Sequence, residues 1–176
     1  KTIVASFQDT SHLDLTKSIV EWLGEDVSGQ ENILANPAGN WRIGGFDSDT
    51  GLTGRKLVID NYGPGYPVGG GSFSGKDPTK VDRSAAYMAR KIAVDLIKKD
   101  GADEAIVELA YAIGVARPVE VSARVRNGDD WLLSNLVSVT YDLTPQGIIK
   151  FLNLNQPQYE ITSRWGHFGN NFLWDK

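Results

Sequence analysis

The chain has 176 residues, 41% hydrophobic and 23% charged, with a formal net charge of −4 and no cysteine. That length suits one domain or two small, closely packed ones. Disulfides and thiolate metal sites are excluded, the acidic balance argues against a nucleic-acid partner, and no apolar run reaches the ~20 residues that span a bilayer, so no membrane partner is expected.

The first residues, Lys1-Thr2-Ile3-Val4-Ala5, lack the order of a signal peptide, and with no leading Met they read as a start inside a longer polypeptide. The lack of cysteine fits a cytoplasmic location. Lys1–Phe7 is a β-type run. Leu13–Leu23 carries apolar residues at 13, 15, 19, 20 and 23, a helical spacing with Ser11 or Asp14 as cap. Strands are expected at Asn32–Ala35 and Trp41–Gly44 around the turn residues 36–40. Leu57–Tyr62 is a further strand and residues 63–75 a loop. Pro78–Lys99 is a helix of about six turns, with Asp77 as N-cap and Pro78 at its first position. Ala105–Ile113 and Val119–Val125 follow as strands. Trp131–Leu143 reads as a second helix stopped by Thr144-Pro145, Gln146–Leu152 as a short helix, and Gln156–Lys176 as an ordered but irregular wrap. The order of elements repeats as β-α-β-β-α, which predicts an α+β fold, a two-layer sandwich.

The chemistry concentrates between Asp47 and Arg90. Residues 63–75 hold six glycines, including Gly69-Gly70-Gly71, and run through Ser74-Gly75-Lys76-Asp77-Pro78 into the long helix. Glycine lets a ligand approach main-chain N–H groups closely, and a helix N-terminus offers unpaired donors that suit phosphate. Arg55, Lys56, Lys76, Lys80, Arg83 and Arg90 stand against Asp60, Asp77 and Asp82, so this segment is locally positive in an acidic chain. Lys76 and Lys80, four apart, are expected on one face of the first helical turns, where like charges repel unless an anion lies between them. Asp82 lies about 200° round the helix from Lys80 and could reach a metal ion at the side of the site. Val81, Ala85, Met88, Ala89, Ile92 and Leu96 form the core face. Gly70, Gly75 and Lys76 nearly meet the Walker pattern, but Asp77 stands where Ser or Thr would hold magnesium, so a different phosphate site is indicated.

Gly51-Leu52-Thr53-Gly54-Arg55-Lys56 and the run Gly69-Gly70-Gly71-Ser72-Phe73-Ser74-Gly75-Lys76-Asp77-Pro78-Thr79-Lys80-Val81-Asp82-Arg83-Ser84-Ala85-Ala86-Tyr87 closely resemble the signature segments of S-adenosylmethionine synthetases. Asn36-Pro37 with Ile43-Gly44-Gly45, Tyr111-Ala112-Ile113-Gly114-Val115-Ala116 and Gly166-His167-Phe168-Gly169 are similar to that family too. The resemblance implies synthesis of S-adenosylmethionine from ATP and L-methionine, with phosphate and pyrophosphate released. It implies Arg55, Lys56, Lys76 and Lys80 as catalytic cations. Asn40, Trp41, Asp49, Arg55, Lys56, Ser72, Lys76 and Ile113 would bind ATP, Asp49 and Lys80 would lie near methionine, and Asp82 would hold Mg2+. K+ would be the monovalent activator, with its acidic ligand upstream of Lys1. Residues 1–45 would end the central domain and 46–176 form the C-terminal domain, the N-terminal domain being absent from this chain. A homodimer or homotetramer with active sites between subunits is expected.

Two departures bear on the site. Asn40-Trp41 replaces a common Arg-Phe pair, and Phe46-Asp47-Ser48-Asp49 replaces the usual Pro-x-Gly-Asp run. His167 is expected to be a structural turn residue rather than a catalytic base, and His12 a surface loop residue. The five tryptophans are expected mostly in the core or at interfaces. An alternative function is a truncated nucleotide- or tripolyphosphate-binding or regulatory subunit with no activity of its own.

Overall fold

The computed structural model describes residues 2–24, 32–48, 62, 65–134 and 140–176. Its chain forms two compact units: residues 1–53 with 111–119, and residues 54–110 with 120–176.

In the first unit, β1 (Thr2–Ala5) pairs in parallel with β2 (Asn32–Ala35), Thr2 facing Asn32 and Ala5 facing Ala35. A parallel pair needs a crossover, and α1 (His12–Leu23) lies within it. Ser11 caps α1 by accepting from the Asp14 N–H at 3.1 Å. His12 is not a loop residue but the first of this helix, and its Nδ1 lies 2.8 Å from the Ala35 carbonyl oxygen. Buried Asn36 then replaces the ladder: its Oδ1 accepts from the Phe7 N–H at 2.7 Å and its Nδ2 donates to the Thr10 carbonyl at 2.8 Å. The expected strand at Trp41–Gly44 is irregular backbone instead, leading into a 3₁₀ turn at Gly45–Asp47. Its pairing goes to residues 8 and 9: the Asp9 N–H donates to the Trp41 carbonyl at 3.1 Å, and Gln8 Nε2 to the Arg42 carbonyl at 2.7 Å. The expected strand at Leu57–Tyr62 lies, apart from Tyr62, outside the described residues.

The second unit is built on α2 (Val81–Asp100), whose buried side chains include Ala85, Tyr87, Met88, Ile92 and Leu96. Of the expected core face, Ala85, Met88, Ile92 and Leu96 are buried, while Val81 and Ala89 are only half-buried. α2 packs against an antiparallel sheet of β3 (Glu104–Ala110), β4 (Glu120–Asn127) and β5 (Asp130–Leu133). Period-two alternation sends Ala123 and Val125 inward, while Arg124 and Arg126 pair with Glu108 at 2.9 Å and Glu104 at 2.6 Å. The strand expected to reach Ile113 ends at Ala110, because residues 111–119 belong to the first unit. There Gly114, at φ 90°, presses so closely on the Pro37 carbonyl that a Cβ would overlap it.

Helix was expected from Trp131, yet residues 130–133 are β5. Asn127 faces Asp130 across a two-residue loop led by Gly128 at φ 63°, a hairpin signal that outweighed the helical spacing of the apolar residues. Residues 135–139 lie outside the described residues. Thr144-Pro145 starts a helix rather than stopping one. Thr144 Oγ1 accepts from the Gly147 N–H at 3.1 Å, and Pro145 opens α3 (Pro145–Phe151). The tail adds α4 (Tyr159–Thr162) and a 3₁₀ turn at Leu173–Asp175 that packs on α2. Of the five tryptophans only Trp174 is buried; its ring stacks on Tyr87 at 4.0 Å between centroids and its Nε1 donates to the His167 carbonyl at 2.7 Å. These elements make the fold α+β, as the sequence indicated.

Candidate functional site

Lys76 sits between two tight turns. Its N–H donates to the Phe73 carbonyl at 3.2 Å, closing a turn in which Gly75 takes φ 89°. Directly after it, the Lys80 N–H donates to the Asp77 carbonyl at 3.1 Å, while Asp77 Oδ1 accepts from the Thr79 N–H at 2.8 Å and from the Thr79 hydroxyl. Asp77 therefore caps this Pro78-containing turn, and not α2 as expected. The helix begins at Val81 with Lys80 in extended backbone before it. The Thr79 hydrogen bonds hold the exposed Asp77 carboxyl below the usual carboxylate range.

Lys76 and Lys80 consequently do not share a helical face. Each has met a carboxylate: Lys76 Nζ donates to Asp82 Oδ2 at 2.6 Å, and Lys80 Nζ lies 3.9 Å from Asp77 Oδ2. The repulsion expected between the two lysines is offset locally. Asp82 stands in the first turn of α2, where the helix dipole favours a carboxylate. Gly71 lies against it so closely that a Cβ there would force the carboxyl group to move. Phe73 is buried and meets Tyr87, His167 and Phe168 edge-on, at 5.8, 5.0 and 6.1 Å. The glycine loop is thereby anchored at one end by an aromatic cluster. Ser72, half-buried, lies between Gly71 and this anchor.

Two of the cations read as part of the positive segment have their guanidinium groups engaged by the protein itself. Arg90 Nε pairs with Asp175 at 3.2 Å. Arg83 is 3% exposed and makes three hydrogen bonds, from Nη1 to the Lys76 carbonyl at 2.8 Å, from Nε to Tyr87 Oη at 3.0 Å and from Nη2 to Thr162 Oγ1 at 3.1 Å. Tyr87 Oη accepts from Arg83 and lies 2.7 Å from His167 Nδ1. His167 Nε2 lies 3.3 Å from Ser74 Oγ. Burial raises the Tyr87 pKa. His167 is thus a buried connector between the tail and the turn that carries Lys76, in keeping with the structural role expected of it. Arg83, Tyr87 and Thr162 were missed as site supports. The available signal was an Arg four residues before a Tyr on the helix, a spacing that puts both on one side.

Asn40, Trp41 and Ile113 fall in the first unit, all exposed. The contact of Gly114 with Pro37 brings the segment bearing Ile113 against the one that leads into Asn40 and Trp41. Asp49, Arg55 and Lys56 lie outside the described residues. Among the described residues no group of three or more His, Asp or Glu gathers to hold a metal ion, and no described helix is long and apolar enough to cross a membrane.

Residues 43–176 match the family model for the S-adenosylmethionine synthetase C-terminal domain. A curated S-adenosylmethionine synthase of Pelagibacter ubique (strain HTCC1062) is 42% identical over 196 residues, covering 100% of this chain and 50% of the relative. One of Petrotoga mobilis (strain DSM 10674 / SJ95) is 47% identical over 156 residues, 85% of this chain and 39% of the relative. Among solved structures, an unusual S-adenosylmethionine synthetase from Campylobacter jejuni superposes with a TM-score of 0.61 at 32% identity, over 99% of this chain and 50% of that one. The fold class is therefore that of the synthetases. The chain belongs to the S-adenosylmethionine synthetase family and matches its C-terminal portion. It spans about half the length of the curated relatives it matches.

Proposed function

We propose that the protein carrying this chain synthesises S-adenosylmethionine from ATP and L-methionine, and that this chain supplies much of the grip on the triphosphate. The observation that carries the reading is Lys76, fixed between two turns just ahead of α2 and paired with Asp82, whose carboxyl lies against Gly71 of the glycine loop. The methionine sulfur attacks the ribose C5′, the C5′–O bond breaks with its electron pair going to oxygen, and the tripolyphosphate departs before being cut to pyrophosphate and phosphate. Separating that charge from a sulfonium product calls for fixed cations placed beforehand. Lys76, with Arg55 and Lys56, would take the phosphate oxygens; Lys80 and Asp49 would lie towards methionine. Asn40, Trp41, Ser72 and Ile113 would line the nucleotide.

Mg2+ ordinarily keeps one or two protein carboxylates and takes phosphate oxygens and water for the rest. The half-exposed Asp82 carboxylate, paired with Lys76, fits that mode as one ligand. Bound there, the ion would neutralise charge on the leaving group. K+ as activator is carried by the family reading alone, with no ligand assigned in this chain. Residues 1–45 are read as the end of the central domain and 46–176 as the C-terminal domain. Exposed Trp131, Leu132 and Leu133 on β5 support a homo-oligomer; active sites between subunits belong to the family reading alone. A cytoplasmic location is part of the same reading.

The test is formation of S-adenosylmethionine and orthophosphate by the full-length protein. A folded, assembled protein that binds tripolyphosphate without turnover would favour the alternative of a binding or regulatory subunit.

A further inference from the structure

We infer that Arg83 is a positioning residue for the triphosphate site, tying the backbone of Lys76 to Thr162 of the C-terminal tail. The inference rests on the reading of Lys76 as a phosphate ligand. Its basis is an unusual burial. Arg83 is 3% exposed, and no acidic side chain among the described residues pairs with it. A buried guanidinium without a counter-charge is costly unless neutral acceptors satisfy it. Here all three nitrogens are used, each on a different element. Nη1 holds the carbonyl of Lys76, Nε holds Tyr87 one turn along α2, and Nη2 holds Thr162 at the end of α4. Thr162 is fully buried, and its hydroxyl donates in turn to the Tyr159 carbonyl at 3.0 Å. The guanidinium carbon lies 4.1 Å from the centre of the Tyr159 ring, which caps its remaining face.

The consequence for Lys76 is specific. Its N–H is already fixed by the Phe73 carbonyl, so the Arg83 bond fixes the other end of the same residue. A lysine side chain is a flexible stem, and the direction in which it leaves the backbone is set by what clamps N–H and C=O. The planar fork of arginine can reach the Lys76 carbonyl and the Thr162 hydroxyl at once; a lysine ammonium at position 83 has no such fixed fork. Loss of the clamp should loosen the phosphate grip more than methionine recognition, which is assigned to Lys80 and Asp49 and not to the clamped Lys76.

The experiment compares the full-length protein with its Arg83→Lys, Thr162→Val and Lys76→Ala variants, measuring the dissociation constant for tripolyphosphate by calorimetry, the KM for methionine and the melting temperature. Because misplacement of a positioned group by ~1 Å can cost up to ~100-fold, tripolyphosphate binding should weaken by at least about fivefold in Arg83→Lys. Thr162→Val should weaken it less, with the KM for methionine within about twofold, and Arg83→Lys combined with Thr162→Val should be no worse than Arg83→Lys alone. Unchanged tripolyphosphate affinity in folded Arg83→Lys, or in Thr162→Val where Arg83→Lys does not fold, overturns the proposal. So does equal weakening of the phosphate and methionine terms. Normal tripolyphosphate binding by Lys76→Ala would instead remove the underlying reading of Lys76.

Discussion

Lys76 Nζ donates to Asp82 Oδ2 at 2.6 Å, so that the residue read as a phosphate ligand and the residue read as a metal ligand hold each other. The pair spans the start of α2 and joins the last turn before the helix to its first turn. Binding of a metal–triphosphate would exchange this one contact for two, phosphate on Lys76 and metal on Asp82. Each ligand then releases the group that the other needs, which predicts that Mg2+ and tripolyphosphate bind with positive coupling.

Lys76→Ala in the full-length protein should cut turnover at least about tenfold, since one charge-assisted phosphate contact is lost. Stability should barely change, because a partly exposed ion pair is worth only ~0–1 kcal/mol. Steady-state kinetics with a thermal melt separates the two effects. Near-normal turnover would take Lys76 out of the site.

Gly71→Ala should displace the Asp82 carboxylate, because the added methyl would occupy its place. Tripolyphosphate binding measured in the presence of Mg2+ should weaken. In an Asp82→Ala background the same change should add little, since nothing remains to be displaced. Additive losses in the double variant would show that Gly71 acts by another route.

Trp174→Ala should destabilise the protein by about 3–5 kcal/mol, as expected for truncating a fully buried aromatic. The loss should reach the site as well, since the Trp174 indole holds the carbonyl of His167 and His167 in turn reaches Ser74. Denaturant unfolding followed by tryptophan-independent circular dichroism measures the first effect.

The Asp77 carboxyl should titrate below the ordinary aspartate value, and Thr79→Ala should move it upward by removing the hydroxyl donor. With the folded-state pKa depressed, the contribution of Asp77 to stability is complete above the ordinary value and is lost as pH falls through the folded one. Carbonyl-detected NMR across the acidic range follows this directly. An ordinary midpoint in the unsubstituted protein would contradict the turn geometry.

Much of this organisation was legible in the residues, and its failures have physical causes. Most of the core face of α2, Ser11 as one of two candidate caps, and strand β2 follow from short-range spacing. Asp77-Pro78 and Thr144-Pro145 carry the same kind of signal, polar residue before proline, yet one closes a turn and the other opens a helix. Local chemistry permits both, and packing decides. Gly128-Asp129 is a usable hairpin signal, masked because the following apolar residues suit a helix as well as a strand. At the site, the positive segment could be read from charge alone. The engagement of Arg83 and Arg90 by the protein itself could not, because their partners, Thr162, Tyr159 and Asp175, arrive from the far end of the chain.

The most direct measurement of the central claim is a titration of the full-length, assembled protein with tripolyphosphate, following the backbone amide signals of residues 69 to 82. The account predicts saturable shifts centred on Gly71, Lys76 and Asp82, enhanced when Mg2+ is present. Amide signals that stay in place at saturating tripolyphosphate would contradict it.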